Sequence, residues 1–404
     1  MFRCLPKTSW EDASRHASPA VVRILERALS GARLTFEEGM QLATPGSTDL
    51  AALVTAADEL RRKAVGDVVT YVVNRNLNFT NVCFVGCEFC GFSRGPHASD
   101  SYFQSNEKLI AKAREAVECG ATEVCIQGGL PRDLDGFYYR NLLRDIKKAL
   151  PRIHVHAFSP MEIAYGIEKT GLPVKEYLLM LKQEGLGSIP GTAAEILDDE
   201  VRSLLSPNKL KVAMWVEIIR TAHMLGIPTT STMMYGHVEG REHWVRHILL
   251  LREIQMETHG FTEFVPLGFI HPKTRLYRIG KSRPGYAEEE SVIVHALARI
   301  LLNGYIRNIQ VSWVKLGLEG SLDCLNAGAN DFGGTLMEES ISKAAGSMHG
   351  EYVSPAQLQS LIRSAGRIPA ERSTTYKILQ TFDANREDEA KNGGDHIMHA
   401  KSAV

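Results

Sequence analysis

The sequence predicts an α/β fold, a (β/α)8 TIM-type barrel carried behind an N-terminal helical extension. Three observations predict it. From Asp67 onward, short β-branched runs alternate with helix-length amphipathic segments, the texture of βα units wound around a parallel sheet. Eight such runs are counted, the number that closes a barrel. Several runs end in polar or glycine-rich stretches, among them Gln127-Gly128-Gly129, Ser159-Pro160 and Tyr235-Gly236-His237, and strand C-termini are where parallel barrels build their sites.

The extension occupies residues 1–66. A helix over 19–31 places Val21, Val22, Leu25 and Leu29 on one face, Thr35 and Glu38 stand at capping-box spacing before a short second helix, and a third helix runs over 49–64. Strands are expected at 68–73, 123–127, 154–158, 187–190, 229–234, 263–267, 309–313 and 325–329. Credible helices lie between them: 107–119 shows Leu109, Ala113, Ala116 and Val117 on one side, and 211–225 shows Val212, Val216 and Ile219. The barrel with its C-terminal helices takes 67–384; a six-strand partial barrel with two flanking strands has the same pattern. Residues 385–404 are polar and poor in apolar side chains, and read as a disordered tail.

Composition narrows the function classes. The 404 residues are 44% apolar and 23% charged, with a net charge of −1, which argues against a nucleic-acid or other polyanion surface and for small-molecule partners. No stretch approaches the roughly 18 to 20 apolar residues that cross a bilayer, and the first residues lack a signal-type apolar core. Seven cysteines are an odd number, and three fall between positions 83 and 90, a pattern of metal chemistry in a reducing compartment such as the cytoplasm rather than of disulfides.

Those three, Cys83, Cys87 and Cys90, are spaced C-x3-C-x2-C directly after the first expected strand. Cubane iron-sulfur clusters commonly take four thiolates, so three with no fourth nearby leave one iron for an outside ligand, a vacancy that the amino and carboxylate groups of S-adenosylmethionine (SAM) can fill. The competing readings are a structural zinc site completed by Cys119, Cys125 or a histidine, as in a zinc-stabilised scaffold barrel, or inert buried thiols. Zinc modules usually present paired C-x2-C knuckles, which this loop does not. Gly86 and Gly91 with Phe84, Phe89 and Phe92 suit a tight, dry loop. Gly128 and Gly129, one strand later, permit close backbone approach to an amino-acid head such as the methionine part of SAM. Cys4, Cys119, Cys125 and Cys324 are read as packing or idle residues. His154 and His156 are read as alternating on the third strand, so that one faces the interior and the other does not.

The cysteine loop resembles that of the radical SAM superfamily. Longer phrases resemble the branch that builds deazaflavins and menaquinone precursors: NRNLNFTNVC (74–83), HAFSPMEI (156–163), SIPGTAAEIL (188–197), FTEFVPLGF (261–269), IQVSWVKLG (309–317) and GANDFGGTLMEESIS (328–342). Within the branch, the stretch GGTLMEESISKAAG is similar to the family of FO synthase second subunits, the 5-amino-6-(D-ribitylamino)uracil--L-tyrosine 4-hydroxyphenyl transferases. Aminofutalosine synthase and dehypoxanthine futalosine cyclase share the cysteine loop and much of the barrel. The resemblance implies one 4Fe-4S cluster on Cys83, Cys87 and Cys90, SAM with Phe89 near its adenine and Gly128 and Gly129 at its methionyl amine, and a reaction that cleaves L-tyrosine between Cα and Cβ and adds the benzyl group to the pyrimidine. It further implies FO synthase subunit 1 as pathway partner and a flavodoxin or ferredoxin as electron donor. For the substrates, polar residues at or near strand ends are the candidates: His156, Ser159, Glu162, Thr232, Glu263, Asn330 and Asp331, with His156, Glu162, Asn330 and Asp331 considered for catalysis. The same residue types cap helices and close loops.

Overall fold

The structure, a computed structural model, describes residues 8–383, so the tail at 385–404 and Cys4 lie outside the described residues. The wall of the barrel begins with a single bent run of chain. β1 (Val68–Val72), rich in β-branched residues, passes through Val73 directly into β2 (Asn74–Asn78). One edge of this run pairs with a late strand near residue 331, while the other meets residues near 368 along β1 and residues near 123 along β2.

The remaining strands are β3 (Glu123–Gln127), β4 (His154–Ala157), β5 (Thr229–Tyr235), β6 (Phe261–Gly268) and β7 (Asp331–Gly334), followed by β8 (Ile368–Arg372) and β9 (Ile378–Thr381). Parallel ladders join β2 to β3, β3 to β4, β5 to β6 and β7 to β1. Single parallel bridges supply the missing links: His156 to Ser188, Ile189 to Thr229, Phe264 to Ile309, and Gln310 to Asp331. The circuit therefore closes with eight parallel positions, two of them barely strand-like. The expected runs at 187–190 and 309–313 contribute only these bridges, and Trp313 already begins the helix Trp313–Asn326.

Two expectations are corrected. Residues 325–329 are not a strand: Leu325 belongs to the last turn of the helix Trp313–Asn326, and the eighth position is filled by β7, six residues later. Leu325, Ala327 and Ala329 alternate as in a strand, but so short an apolar pattern fits a buried helix end equally well. The cysteine loop follows β2 rather than the 68–73 run, because Asn74, Asn76 and Asn78, poor strand formers in isolation, are held by pairing with β3 and by side-chain bonds inside the barrel.

The sequence helices form nearly where expected, as Pro19–Leu29, Ser47–Val65, Asn106–Glu118 and Val212–Met224, and Thr35 with Glu38 makes the reciprocal capping box. The extension packs on the barrel's outer helices: a Cβ on Gly39 would stand 2.8 Å from Val245 Cγ1. No helix among the described residues is long and apolar enough to cross a membrane.

β8 and β9 form an antiparallel hairpin that the sequence reading lacked, and it plugs the N-terminal end of the barrel. Arg372 enters the interior, donating from Nε to Asp331 Oδ2 at 2.6 Å and from Nη2 to Asp331 Oδ1 at 2.9 Å, with Glu263 Oε2 3.6 Å away. Tyr376 hydroxyl donates to Glu263, Gln310 Nε2 donates to the same oxygen at 2.8 Å, and Thr70 hydroxyl donates to Asp331. Asn74 holds Glu123 at 2.8 Å. This is a fully internal ionic floor.

Candidate active site

At the opposite, C-terminal mouth, the segment after β2 folds back on itself. Cys83 N–H donates to the Arg94 carbonyl (3.0 Å), Arg94 N–H to that of Asn81 (2.8 Å) and Phe84 N–H to that of Leu130 (3.0 Å). Distant segments add straps: Glu88 N–H to the Leu205 carbonyl (2.8 Å), Leu276 N–H to the Glu88 carbonyl (2.8 Å) and Asn208 side-chain amide to the Val85 carbonyl (3.1 Å). Gly86 sits at φ +69°, and a Cβ on Gly91 would stand 2.6 Å from Ala345 Cα, so helix Ser340–Ala345 lies directly on the loop.

Cys83, Cys87 and Cys90 share one wall of a cavity of about 280 Å3. Burial pushes the Cys87 thiol up to about 12 and raises Cys90 as well. Such thiols ionise when a metal takes the proton's place. Among the described residues, no three His, Cys, Asp or Glu side chains converge on a point that would hold a single ion. Three thiols with no fourth cysteine on the cavity wall among those residues match the donor set of a cubane cluster that leaves one iron to an outside ligand. Cys119 is exposed and Cys125 lies within β3, neither on the cavity wall.

Facing the loop are the ends of β3 and β4. Gly128 N–H donates to Glu162 Oε1 at 3.0 Å and Gly129 N–H to the Thr80 carbonyl at 2.8 Å, so both amides are engaged. A Cβ on Gly128 would meet the Phe79 ring at 2.6 Å, and one on Gly129 the Val82 carbonyl oxygen at 2.2 Å. The pair is glycine because the chain leaving β3 must touch Phe79 and Val82, which lead into the cysteine loop. Ser159 and Glu162 make a reciprocal capping box at the start of helix Pro160–Thr170, where Ser159 N–H and hydroxyl each donate to Glu162 Oε2 at 2.6 Å. Burial pushes Glu162 up to about 7, against the lowering effect of these bonds. Phe89, also on the wall, lies under Lys209, whose Nζ is 5.3 Å from the ring centre.

A third wall is the loop at 191–195. Ala193 and Glu195 take positive φ (60° and 42°), two of six such non-glycine residues among those described. Backbone strain of this kind persists only where neighbours over-determine it. Here Arg202 does so, donating to the carbonyls of Ala193, Ala194 and Leu210 and to Glu195. Lys209 completes the set, with Nζ 2.6 Å from Glu195 Oε1. Thr232, midway along β5, lines the cavity while its hydroxyl donates to the Gly191 carbonyl at 2.8 Å. Lys315 and Ser342 form the last side.

Of the residues singled out in the sequence, the structure gathers Cys83, Cys87, Cys90, Phe89, Gly128, Gly129, Ser159, Glu162 and Thr232 around this cavity. It places four elsewhere. Glu263 and Asp331 belong to the ionic floor, and Asn330 ties the seventh and eighth positions together through the Ile309 N–H and Arg299. His156 Nδ1 is 2.6 Å from Ser188 Oγ, and His154 Nε2 reaches the same oxygen at 2.8 Å. The two histidines thus share a face, as positions i and i+2 of a strand must, which corrects the expectation that they oppose each other. Glu195, Arg202, Lys209 and Lys315 were not singled out. Lys315 alone carries a signal in the sequence, a charged residue inside the largely apolar phrase IQVSWVKLG, whereas Arg202 and Lys209 stand in polar stretches.

Comparison with known proteins places these features in context. The model of the radical SAM superfamily matches residues 77–251, and that of the CofH/MqnC C-terminal region matches 258–384. The 5-amino-6-(D-ribitylamino)uracil--L-tyrosine 4-hydroxyphenyl transferase of Methanothermobacter thermautotrophicus is 49% identical over 358 residues, covering 89% of this chain and 97% of that protein. The transferase of the same name from Methanocaldococcus jannaschii is 52% identical over 80% of this chain and 91% of its own length. FO synthase of Mycobacterium leprae is 51% identical over 89% of this chain, but this chain spans only 41% of that protein. Among solved structures, methylornithine synthase aligns with a TM-score of 0.66 at 18% identity, covering 86% of this chain and 97% of that one. The hydrogenase maturase HydG from Carboxydothermus hydrogenoformans aligns at 0.68 and 15% identity, covering 91% and 83%. These two likenesses concern the fold.

Proposed function

This chain belongs to the radical SAM superfamily and, within it, to the family of 5-amino-6-(D-ribitylamino)uracil--L-tyrosine 4-hydroxyphenyl transferases, and from that premise we propose that it joins the 4-hydroxybenzyl group of L-tyrosine to 5-amino-6-(D-ribitylamino)uracil. The products are the 5-(4-hydroxybenzyl) adduct, 2-iminoacetate, methionine and 5'-deoxyadenosine, a step of deazaflavin formation. The single observation that carries the reading is the juxtaposition of three thiols and the Gly128–Glu162 pair across one cavity, in a chain that matches transferases of this name over nearly their whole length.

Cys83, Cys87 and Cys90 would hold a 4Fe-4S cluster, and Gly128, Gly129, Glu162 and Phe89 would hold SAM. When bound, the reduced cluster and SAM supply a 5'-deoxyadenosyl radical. The chain's own contribution is positional. Glu162, poised near neutrality, accepts hydrogen bonds from an amine without a strong demand for charge. Phe89, Phe92 and the apolar ends of β5 and β6 exclude water from chemistry that water would quench. Arg202 keeps the strained 191–195 loop from relaxing into the cavity. We assign an external one-electron donor such as flavodoxin or ferredoxin, FO synthase subunit 1 as the pathway partner, and a cytoplasmic setting.

The test is an anaerobic assay of reconstituted protein with dithionite, SAM, tyrosine and the pyrimidine. Deoxyadenosine and a hydroxybenzyl adduct, both dependent on the two substrates, are expected. Because the C-terminal family model carries two names, a futalosine substrate is the second reading, and turnover of futalosine-type substrates with no adduct from tyrosine would favour it.

A further inference from the structure

The charges around the cavity are not equally provided for. Glu162 receives three hydrogen bonds, Glu195 is paired with Arg202 and Lys209, and Lys209 returns that pairing. Lys315 is different. It lies just past the start of helix Trp313–Asn326, and its Nζ makes one hydrogen bond, to Ser342 Oγ at 3.1 Å. Among the described residues it forms no ion pair. Glu339, the carboxylate that acts on it electrostatically, is occupied by Asn76 and by the Ser342 N–H at 2.8 Å. Burial holds the lysine below its ordinary pKa, the mark of a cation short of a counter-ion. A part-buried ammonium with unused donors on a cavity wall is stabilised when a ligand brings an anion.

Its position says which anion. Ser342 and Ala345 lie one turn apart on helix Ser340–Ala345, and Ala345 abuts Gly91 of the cysteine loop. That helix follows the turn Leu336-Met337, both at positive φ (65° and 52°), and its Ile341, Ser342 and Ala345 line the cavity. Lys315 is therefore linked through Ser342 and Ala345 to the cysteine loop, and lines the same cavity as the three thiols. The group cleaved there must be the amino-acid head, and the carboxylate on that head is the only group of the two proposed substrates that is an anion at neutral pH. The phenol and the pyrimidine are neutral.

We propose that Lys315, with Ser342 beside it, holds the α-carboxylate of the amino-acid substrate; this rests on the transferase reading above. The ionic pair fixes the head while the aromatic ring is left to the apolar side of the cavity.

The test is equilibrium dialysis of labelled tyrosine and of tyramine, which lacks the carboxylate, against protein carrying cluster and SAM, alongside the adduct assay. Wild type is expected to prefer tyrosine, Lys315→Met to weaken tyrosine by roughly tenfold to hundredfold with little change for tyramine, and Lys315→Arg to recover part of the loss. Iron content and the cluster's visible absorption confirm that both variants are folded and loaded. Tyrosine affinity unchanged within twofold in Lys315→Met overturns the assignment. So does an equal loss for both ligands, which share the phenol and the amine and differ in the carboxylate. Failure of the transferase reading looks different: wild type then makes no adduct and binds neither compound.

Discussion

Removing the guanidinium from the barrel floor should cost stability in a strongly pH-dependent way. In Arg372→Met, Asp331 and Glu263 stay buried, at 0% and 8% side-chain exposure, without their cation. Glu263 is already pushed up to about 7, mainly by burial, so protonating it at neutral pH is cheap. Protonating an ordinary aspartate at pH 7 costs about 4 kcal/mol, from its reference value of about 3.9 and roughly 1.4 kcal/mol per unit. The expected loss is therefore about 4 kcal/mol at pH 7, within the range for a broken buried pair. Because the penalty is that of a proton the variant must take up, it grows above the unfolded aspartate value and shrinks on acidification, to about 1.5 kcal/mol at pH 5. Urea unfolding of wild type and variant at both pH values measures it. A loss below about 1 kcal/mol at pH 7, or the same loss at pH 5, would refute the argument that the floor is held by charge. The cavity lies at the other end of the barrel, so the surviving folded variant should still bind iron.

Other outcomes follow from the same geometry. Cys87→Ala should abolish SAM cleavage while leaving the far-ultraviolet circular dichroism unchanged; retained deoxyadenosine formation would remove Cys87 from the cluster. Gly129→Ala puts a Cβ 2.2 Å from the Val82 carbonyl oxygen, and should cost about 1–3 kcal/mol and lower iron occupancy, read by unfolding and iron assay. Burial lowers His156, His223 and His295 to about 4 and His247 to about 3. The unfolded chain binds their protons first, so the stability they contribute is complete above about pH 6.5 and is lost as pH falls toward 4, by up to about 1.4 kcal/mol per unit for each. His223→Gln should flatten the fall in urea midpoint between pH 6.5 and 4.5, and an unchanged slope would count against it.

Much of the site was legible because its signals are local. The C-x3-C-x2-C spacing, the glycines after β3 and the Ser159–Glu162 spacing each lie within a few residues, and each lands on the cavity. What failed was the assignment of a strand's direction and bounds. Reading 325–329 as the eighth strand put Asn330 and Asp331 at its C-terminal end, the side where sites form. With β7 at Asp331–Gly334 they stand at the start and therefore in the floor. Glu263 near the start of β6 has the same fate, since a polar residue near a strand end carries no label for which end. Arg372 and Lys315 escaped notice for a different reason: their partners are tertiary, and Asp331 lies 41 residues from Arg372.

The bent strand that opens the barrel also sets a schedule for synthesis. Both edges of β1 are filled from the far end of the chain, Thr70 meeting Asp331 across 261 residues and Val68 meeting Ile368. A nascent chain therefore leaves the ribosome with its first strand unpaired on both sides, an open template for other strands until the last elements emerge. The cysteines, by contrast, appear early. The straps from Leu205, Asn208 and Leu276 do not yet exist at that moment, so the loop reaches its folded form only after segments more than a hundred residues downstream have been made.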